Sequence, residues 1–379
     1  MDIPTRLAAL LVASALTVAA QAAPRYRFEA IASPTGTQLW RNGDLNDAGQ
    51  VAAVWYTPQG DATWQIQAAL YTPGLGQVAI GPVSTDELAV YGLNASGAVV
   101  GAVGDSDAMR AWRFSPTAAP IGGAAAGVRS AAMAINDAGA TVGFHARPDG
   151  LPRPWIASPG GTPQPLASLD EGAAIGINNR GEVLYAGPGG PGFPIYRVDP
   201  ATGTVTPVGN SAVDTISAAR LNDEGDIAVT FGWRFTGAGV FHADGSFTQL
   251  AGLPGYADQQ SFDLNDRGQV LGASYNAGPG IPFDSRPFVY TPGVGTVDPL
   301  ALTDVPDGWT GLALTRLNNH GDILGSGYFG DDARVFLLRN VATPVPEPGT
   351  LAMLGWGLFA VGCAGRAARR GRSGGAGPG

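Results

Sequence analysis

One short pattern occurs seven times and limits the possible folds more than any other feature. A leucine or isoleucine precedes Asn-x-x-Gly, and a β-branched residue stands two positions past the glycine. The asparagines are Asn46, Asn94, Asn136, Asn178, Asn222, Asn265 and Asn318. Their glycines are Gly49, Gly97, Gly139, Gly181, Gly225, Gly268 and Gly321. Successive copies lie 48, 42, 42, 44, 43 and 53 residues apart, close to the length of one propeller blade. The pattern predicts an all-β, seven-bladed β-propeller of four-stranded repeats over residues 23–341.

Each repeat has a mechanical logic. The asparagine side chain caps the turn that it starts, and the glycine takes the positive φ that closes a hairpin. The second strand is apolar on consecutive residues, as at Val270 and Leu271, so both of its faces are covered. Small residues at Gly101, Gly143, Gly272 and Gly325 are expected to let neighbouring sheets approach closely. A fourth strand follows six repeats, but after Leu338 the chain runs into its tail. Residues 26–31 have the composition to supply the missing strand. Fifty-seven glycines and 30 prolines fall between the apolar runs as turns rather than as a linker.

The two ends predict export. Arg6, the apolar residues 7–20 and Ala20-Gln21-Ala22 form a secretory signal peptide over residues 1–22, a substrate for the Sec machinery. About 14 apolar residues are too few to span a bilayer. Residues 342–379 form a tail in three parts. Pro346-Glu347-Pro348 comes first, then an apolar helix over 350–365, then a basic end over 366–372. Sixteen helical residues rise only about 24 Å, which suits a transient membrane anchor whose arginines stay cytoplasmic. Cys363 lies in this segment, so the exported domain has no cysteine and no disulfide.

The tail resembles the PEP-CTERM sorting domain of Gram-negative, exopolysaccharide-producing bacteria. The resemblance implies an exosortase, a membrane-embedded cysteine protease, that cuts near Pro346, Glu347 and Pro348 and passes the protein to the cell surface. The repeats are similar to the HAF family of extracellular repeats, whose core reads Ile-Asn-Asp-x-Gly-x-Val-x-Gly. Ile135-Asn136-Asp137-Ala138-Gly139 and Leu264-Asn265-Asp266-Arg267-Gly268 carry that likeness, while Ala95 and Asn179 depart at the second position.

Chemistry is sparse. Every one of the 22 basic residues is arginine, which excludes lysine Schiff bases and a P-loop lysine. His145, His242 and His320 lie in different repeats, so no zinc site is expected, and no cofactor. Gly104-Asp105-Ser106 is similar to a lipase nucleophile block but lacks the strand-turn-helix context. The runs starting at Asp44 and Asp263 begin like calcium loops, yet Trp55 and Ser274 stand where the bidentate glutamate belongs. Without the signal and the basic end, 17 arginines face 30 acids, a net charge of −13 that opposes nucleic-acid binding.

The sequence therefore points to a surface-sorted structural or binding component of an extracellular matrix, not an enzyme. Matrix polysaccharide or a basic protein is the expected partner. The alternatives are a carbohydrate-acting propeller hydrolase, which needs paired carboxylates on the central channel, and a membrane-retained periplasmic protein. The irregular loops opposite the Asn-x-x-Gly turns are the expected interaction face, with Asp105, Asp107, Asp331 and Asp332 as candidates and Trp64, Tyr275 and Trp309 nearby.

Overall fold

The computed structural model describes residues 25–341, except 35, 61–62, 106–107, 123–127, 167–168, 189–193, 210–214, 233–235 and 279–280. The expected signal peptide over residues 1–22 and the expected helix over 350–365 lie outside the described residues. Residues 26–340 form one compact unit.

Seven four-stranded sheets make seven blades, over residues 38–84, 88–120, 130–165, 173–208, 216–249, 258–297 and 309–341. The first six each consist of four consecutive strands paired in chain order, and the first strands of successive blades line the axis. In the second blade these are Leu88–Leu93, Val99–Val103, Arg110–Ser115 and Ala119–Pro120. The seventh blade is completed by the N-terminal strand Arg25–Ile31, hydrogen-bonded beside Asp332–Val341. The strand expected from the sequence closes the ring there, so no open edge remains at the junction. Phe28 stacks on Phe336 with ring centroids 4.6 Å apart and meets Trp309 edge-on at 4.9 Å.

The core lies between blades. Ala52, Val54 and Ile66 of the first blade pack on Leu88, Val90, Val99 and Phe114 of the second. The second strand of the first blade is buried on five consecutive residues, Val51 to Trp55, as its unbroken apolar run requires. Third strands carry the largest fully buried side chains, among them Trp155, Phe288 and Phe336. Each such ring contributes about 1.5–3 kcal/mol by leaving water.

The close-approach glycines need a correction. A Cβ on Gly101 would lie 2.0 Å from the Ala89 carbonyl oxygen, and one on Gly143 2.0 Å from that of Ala131. On Gly272 it would meet the Gln260 carbonyl at 2.2 Å. These atoms belong to the same blade, not to its neighbour. The cause is a β-bulge in each inner strand, at Tyr91, Met133 and Phe262 among others, which throws a carbonyl across the second strand. Trp155 and Phe288 fill the space over Gly143 and Gly272.

Candidate functional site: the central channel

Every inner strand ends at the repeat motif, so the motif residues of all seven blades converge on the axis. All seven motif asparagines are buried, at 3–6% exposure. Each Oδ1 accepts its own turn's amides, as from Gln50 to Asn46 and from Ser96 and Ala98 to Asn94. Each motif glycine has φ between +71° and +83°. The other half of each asparagine does something that the turn logic does not require. Its Nδ2 donates to the carbonyl of the next blade's asparagine, from Asn46 through Asn94, Asn136, Asn178, Asn222 and Asn265 to Asn318, and from Asn318 back to Asn46. Seven bonds of 2.9–3.1 Å form a closed ring.

The next motif residue builds a second ring. Ala95, Asp137, Asn179, Asp223, Asp266 and Asn319 each donate a backbone amide at 2.7 Å to the side chain of the following blade's equivalent residue. The step from Asp47 to Ala95 has no acceptor, because alanine carries none. Asn179 bridges Asp137 and Asp223, and Asn319 bridges Asp47 and Asp266, so amides separate most of the carboxylates. Asp223 and Asp266 stand adjacent without an amide between them. Burial, and then the charge of Asp266, raise the Asp223 carboxyl above its ordinary value. This polar collar surrounds a mouth of about 220 Å³.

One residue before the motif leucine or isoleucine, the seven blades carry Asp44, Gly92, Ala134, Gly176, Arg220, Asp263 and Arg316. These line a central cavity of about 460 Å³. Blades two to four give it a wall of small residues backed by Ile135, Ile175 and Ile177, whereas blades five, six, seven and one give it four charges. Arg316 Nε donates to Asp44 Oδ1 at 3.1 Å. Asp44 also accepts the amides of Leu45 and of Leu93 in the next blade, each at 3.0 Å. Asp263 repeats the inter-blade hook by accepting the Leu317 amide at 2.8 Å. Desolvation raises the Asp263 carboxyl, against the pull of Arg316 and of that amide.

Arg220 differs from its neighbours. Among the described residues it makes no ion pair, and a single hydrogen bond runs from Nη1 to the Ala219 carbonyl at 3.1 Å. The side chain is exposed to solvent yet lines the channel, so water reaches it within a protein-walled space. That confinement, and then the like charge of Arg316, lower its guanidinium pKa. A further lobe of about 500 Å³ extends from Arg220 and Arg316 along the first halves of the inner strands, toward the end away from the asparagine turns.

The expected rim residues are less organised. Asp105 accepts the Ala108 amide at 2.8 Å, and Asp332 pairs with Arg334 at 3.0 Å. Asp331 is exposed in the hairpin turn of the seventh blade. Asp107 and Ser106 lie outside the described residues. Asp105 belongs to blade two, and Asp331 and Asp332 to blade seven, with blade one between them. Trp309 is half-buried and packs on Phe28 and Phe336, and Tyr275 is buried. Among the described residues no group of three metal-ligating side chains occurs, and no helix is long and apolar enough to cross a membrane. The sequence reading missed the four channel charges. Their signal was position alone: the same offset from each motif carries charge in four adjacent blades around the ring.

Comparison with known proteins adds an address. Residues 344–371 match the PEP-CTERM protein-sorting motif. The motif implies export, membrane-linked sorting to the cell surface and processing by an exosortase-type system. No curated protein matches this sequence. Among solved structures the chain is similar to an oligogalacturonate lyase in complex with manganese, with 11% identity and a TM-score of 0.56, over 85% of this chain and 97% of that one. It is also similar to the β-propeller domain of the Trilobed protease from Pyrococcus furiosus, with 11% identity and a TM-score of 0.50, over 84% and 99%. TolB from Acinetobacter baumannii aligns at 12% identity and a TM-score of 0.44, over 77% of this chain, which spans only 63% of that one. At these identities the likeness concerns the propeller fold alone.

Proposed function

We propose that the chain is an exported propeller, sorted to the cell surface by its tail, that serves as a binding component of the extracellular matrix rather than as an enzyme. The sorting motif behind a propeller body is the observation that carries this reading. The seven turns are read as HAF-type extracellular repeats. Residues 1–22 direct Sec-dependent export, and an exosortase-like protease removes the helix after it has held the protein in the membrane. The partner is matrix polysaccharide or a basic protein, met by the irregular face to which Asp105, Asp107, Asp331 and Asp332 belong. Irregular loops on a rigid scaffold are where binding sites usually sit.

A hydrolase is the second reading, favoured by Asp44 and Asp263 lining one cavity with the Asp263 carboxyl raised. Against it, both carboxylates already hold a backbone amide of the next blade, which is structural work.

Changing Pro346-Glu347-Pro348 to alanines tests the sorting reading. Uncleaved protein should accumulate in the membrane fraction, and mass spectrometry of the wild-type C-terminus should show the tail removed. Normal release of the variant defeats the reading. A wild-type protein that keeps its tail in the membrane supports the membrane-retained periplasmic alternative.

A further inference from the structure

We infer that the 500 Å³ lobe of the channel is a binding site for the carboxylate of an acidic sugar, with Arg220 as the principal anchor. Among the described residues the titratable side chains on the wall of this lobe are Arg220 and Arg316; Asp44 and Asp263 line the central cavity but not the lobe. Arg316 is paired with Asp44, so Arg220 is the cation that the lobe offers to an anion, inside a protein that is strongly acidic overall.

The second observation is that the cations are only partly engaged. Arg316 spends Nε on Asp44 and Nη1 on the Thr315 carbonyl. Arg220 spends Nη1 on Ala219, while its Nε and Nη2 bond to no described residue. Those two donors form one edge of the planar guanidinium, the geometry that holds a carboxylate through two parallel hydrogen bonds. A confined arginine keeps that edge unused, and no described residue supplies an acceptor for it.

The rest of the lining selects the body of the ligand. Gln260 and Ser285 make no side-chain hydrogen bond to any described residue, so both are available to hydroxyl groups. Phe262 and Leu312 supply an apolar wall. The volume lies within the usual range for a small-molecule site, about 300–1,000 Å³. A carboxylate joined to a ring with several hydroxyls satisfies all of these features, and a hexuronate is such a molecule. The choice of a saccharide rests on the surface location proposed above, whereas the anion site does not.

The test is calorimetric titration of the full chain in mild detergent with glucuronate, glucose and acetate. Glucuronate should bind at least about tenfold tighter than glucose or acetate, since a charged hydrogen-bond pair and the ring contacts both contribute. Arg220→Gln should weaken glucuronate binding by about tenfold or more without moving the melting temperature. Ala313→Trp, at an exposed position on the lobe wall, should block binding without touching the arginine. Equal binding of glucose, wild-type affinity in both variants, or no binding of glucuronate at millimolar concentration overturns the inference. Acetate binding as tightly as glucuronate overturns the sugar assignment. The titration needs no cell, so a failed sorting experiment leaves it unaffected, and a failed titration leaves the sorting reading standing.

Discussion

Arg339 donates from Nε to Glu29 at 3.1 Å, joining side chains 310 residues apart in the chain. Its Nη1 reaches Asp322 at 3.0 Å, and Glu29 also accepts the Tyr71 hydroxyl at 2.9 Å from the first blade. One arginine thus ties the closing strand to the seventh blade, and one glutamate ties that strand to the first. Deleting residues 23–32 should lower the melting temperature of the whole propeller. An unchanged temperature would remove the closing strand from the account.

The same pair sets a pH dependence. The hydrogen bond from Arg339 is the main reason that the Glu29 carboxyl lies below its ordinary value of 4.5. A depressed carboxylate contributes fully above its unfolded value, and the contribution is lost as pH falls through the folded value. Glu29→Gln should therefore cost about 1 kcal/mol at pH 7, the side chain being partly screened by water. Thermal melts from pH 7 to pH 3 should show wild type and variant converging below about pH 4.5.

Asn136→Ala removes two connections at once, the Oδ1 that accepts the Ala140 amide and the Nδ2 that reaches Asn178. The Asn178 carbonyl left behind is buried, and the Ala140 amide is partly so. The expected loss is about 2–4 kcal/mol by urea denaturation. A loss near that of an exposed turn residue would show that the ring follows from blade packing rather than supporting it.

Ala95→Asn should complete the second ring. The new carbonyl would accept the Asp47 amide, and its amide would sit between Asp47 and Asp137, as Asn179 sits between Asp137 and Asp223. A gain of about 0.5–1.5 kcal/mol is expected. Ala95→Asp should gain less at pH 7, because it would place three carboxylates in succession. Melting temperatures of the two variants at one pH decide the point.

Gly143→Ala should cost about 1–3 kcal/mol or more, although the position does not require a positive φ. The Ala131 carbonyl and the Trp155 ring, 2.0 and 2.7 Å from the new Cβ, are both held by the blade. Calorimetry of that variant against Gly203→Ala, where nothing lies within 4 Å of the new carbon, separates crowding from backbone strain.

Much of this architecture was legible because it is local or periodic. The Asn-x-x-Gly spacing yields seven blades, since each turn is made by residues four apart and the period counts them. The closing strand was legible as a deficit: six repeats have a fourth strand and the last has none, while residues 26–31 stood unassigned. Aromatic packing was less legible: Trp309, expected near the acidic loops, is half-buried because the closing strand brings Phe28 against it.

The sequence by itself determined the number of blades, the turn at each motif and the sorting signal, because each depends on neighbours within a few residues or on a regular repeat. Only the tertiary structure decided that seven asparagines bond to one another in a ring, and that Arg220, Arg316, Asp44 and Asp263 meet in one cavity from which the two arginines also line a further lobe. Arg220 and Arg316 are 96 positions apart in the chain. Closure of the ring puts them on one axis, and no local rule states which side chains will meet there.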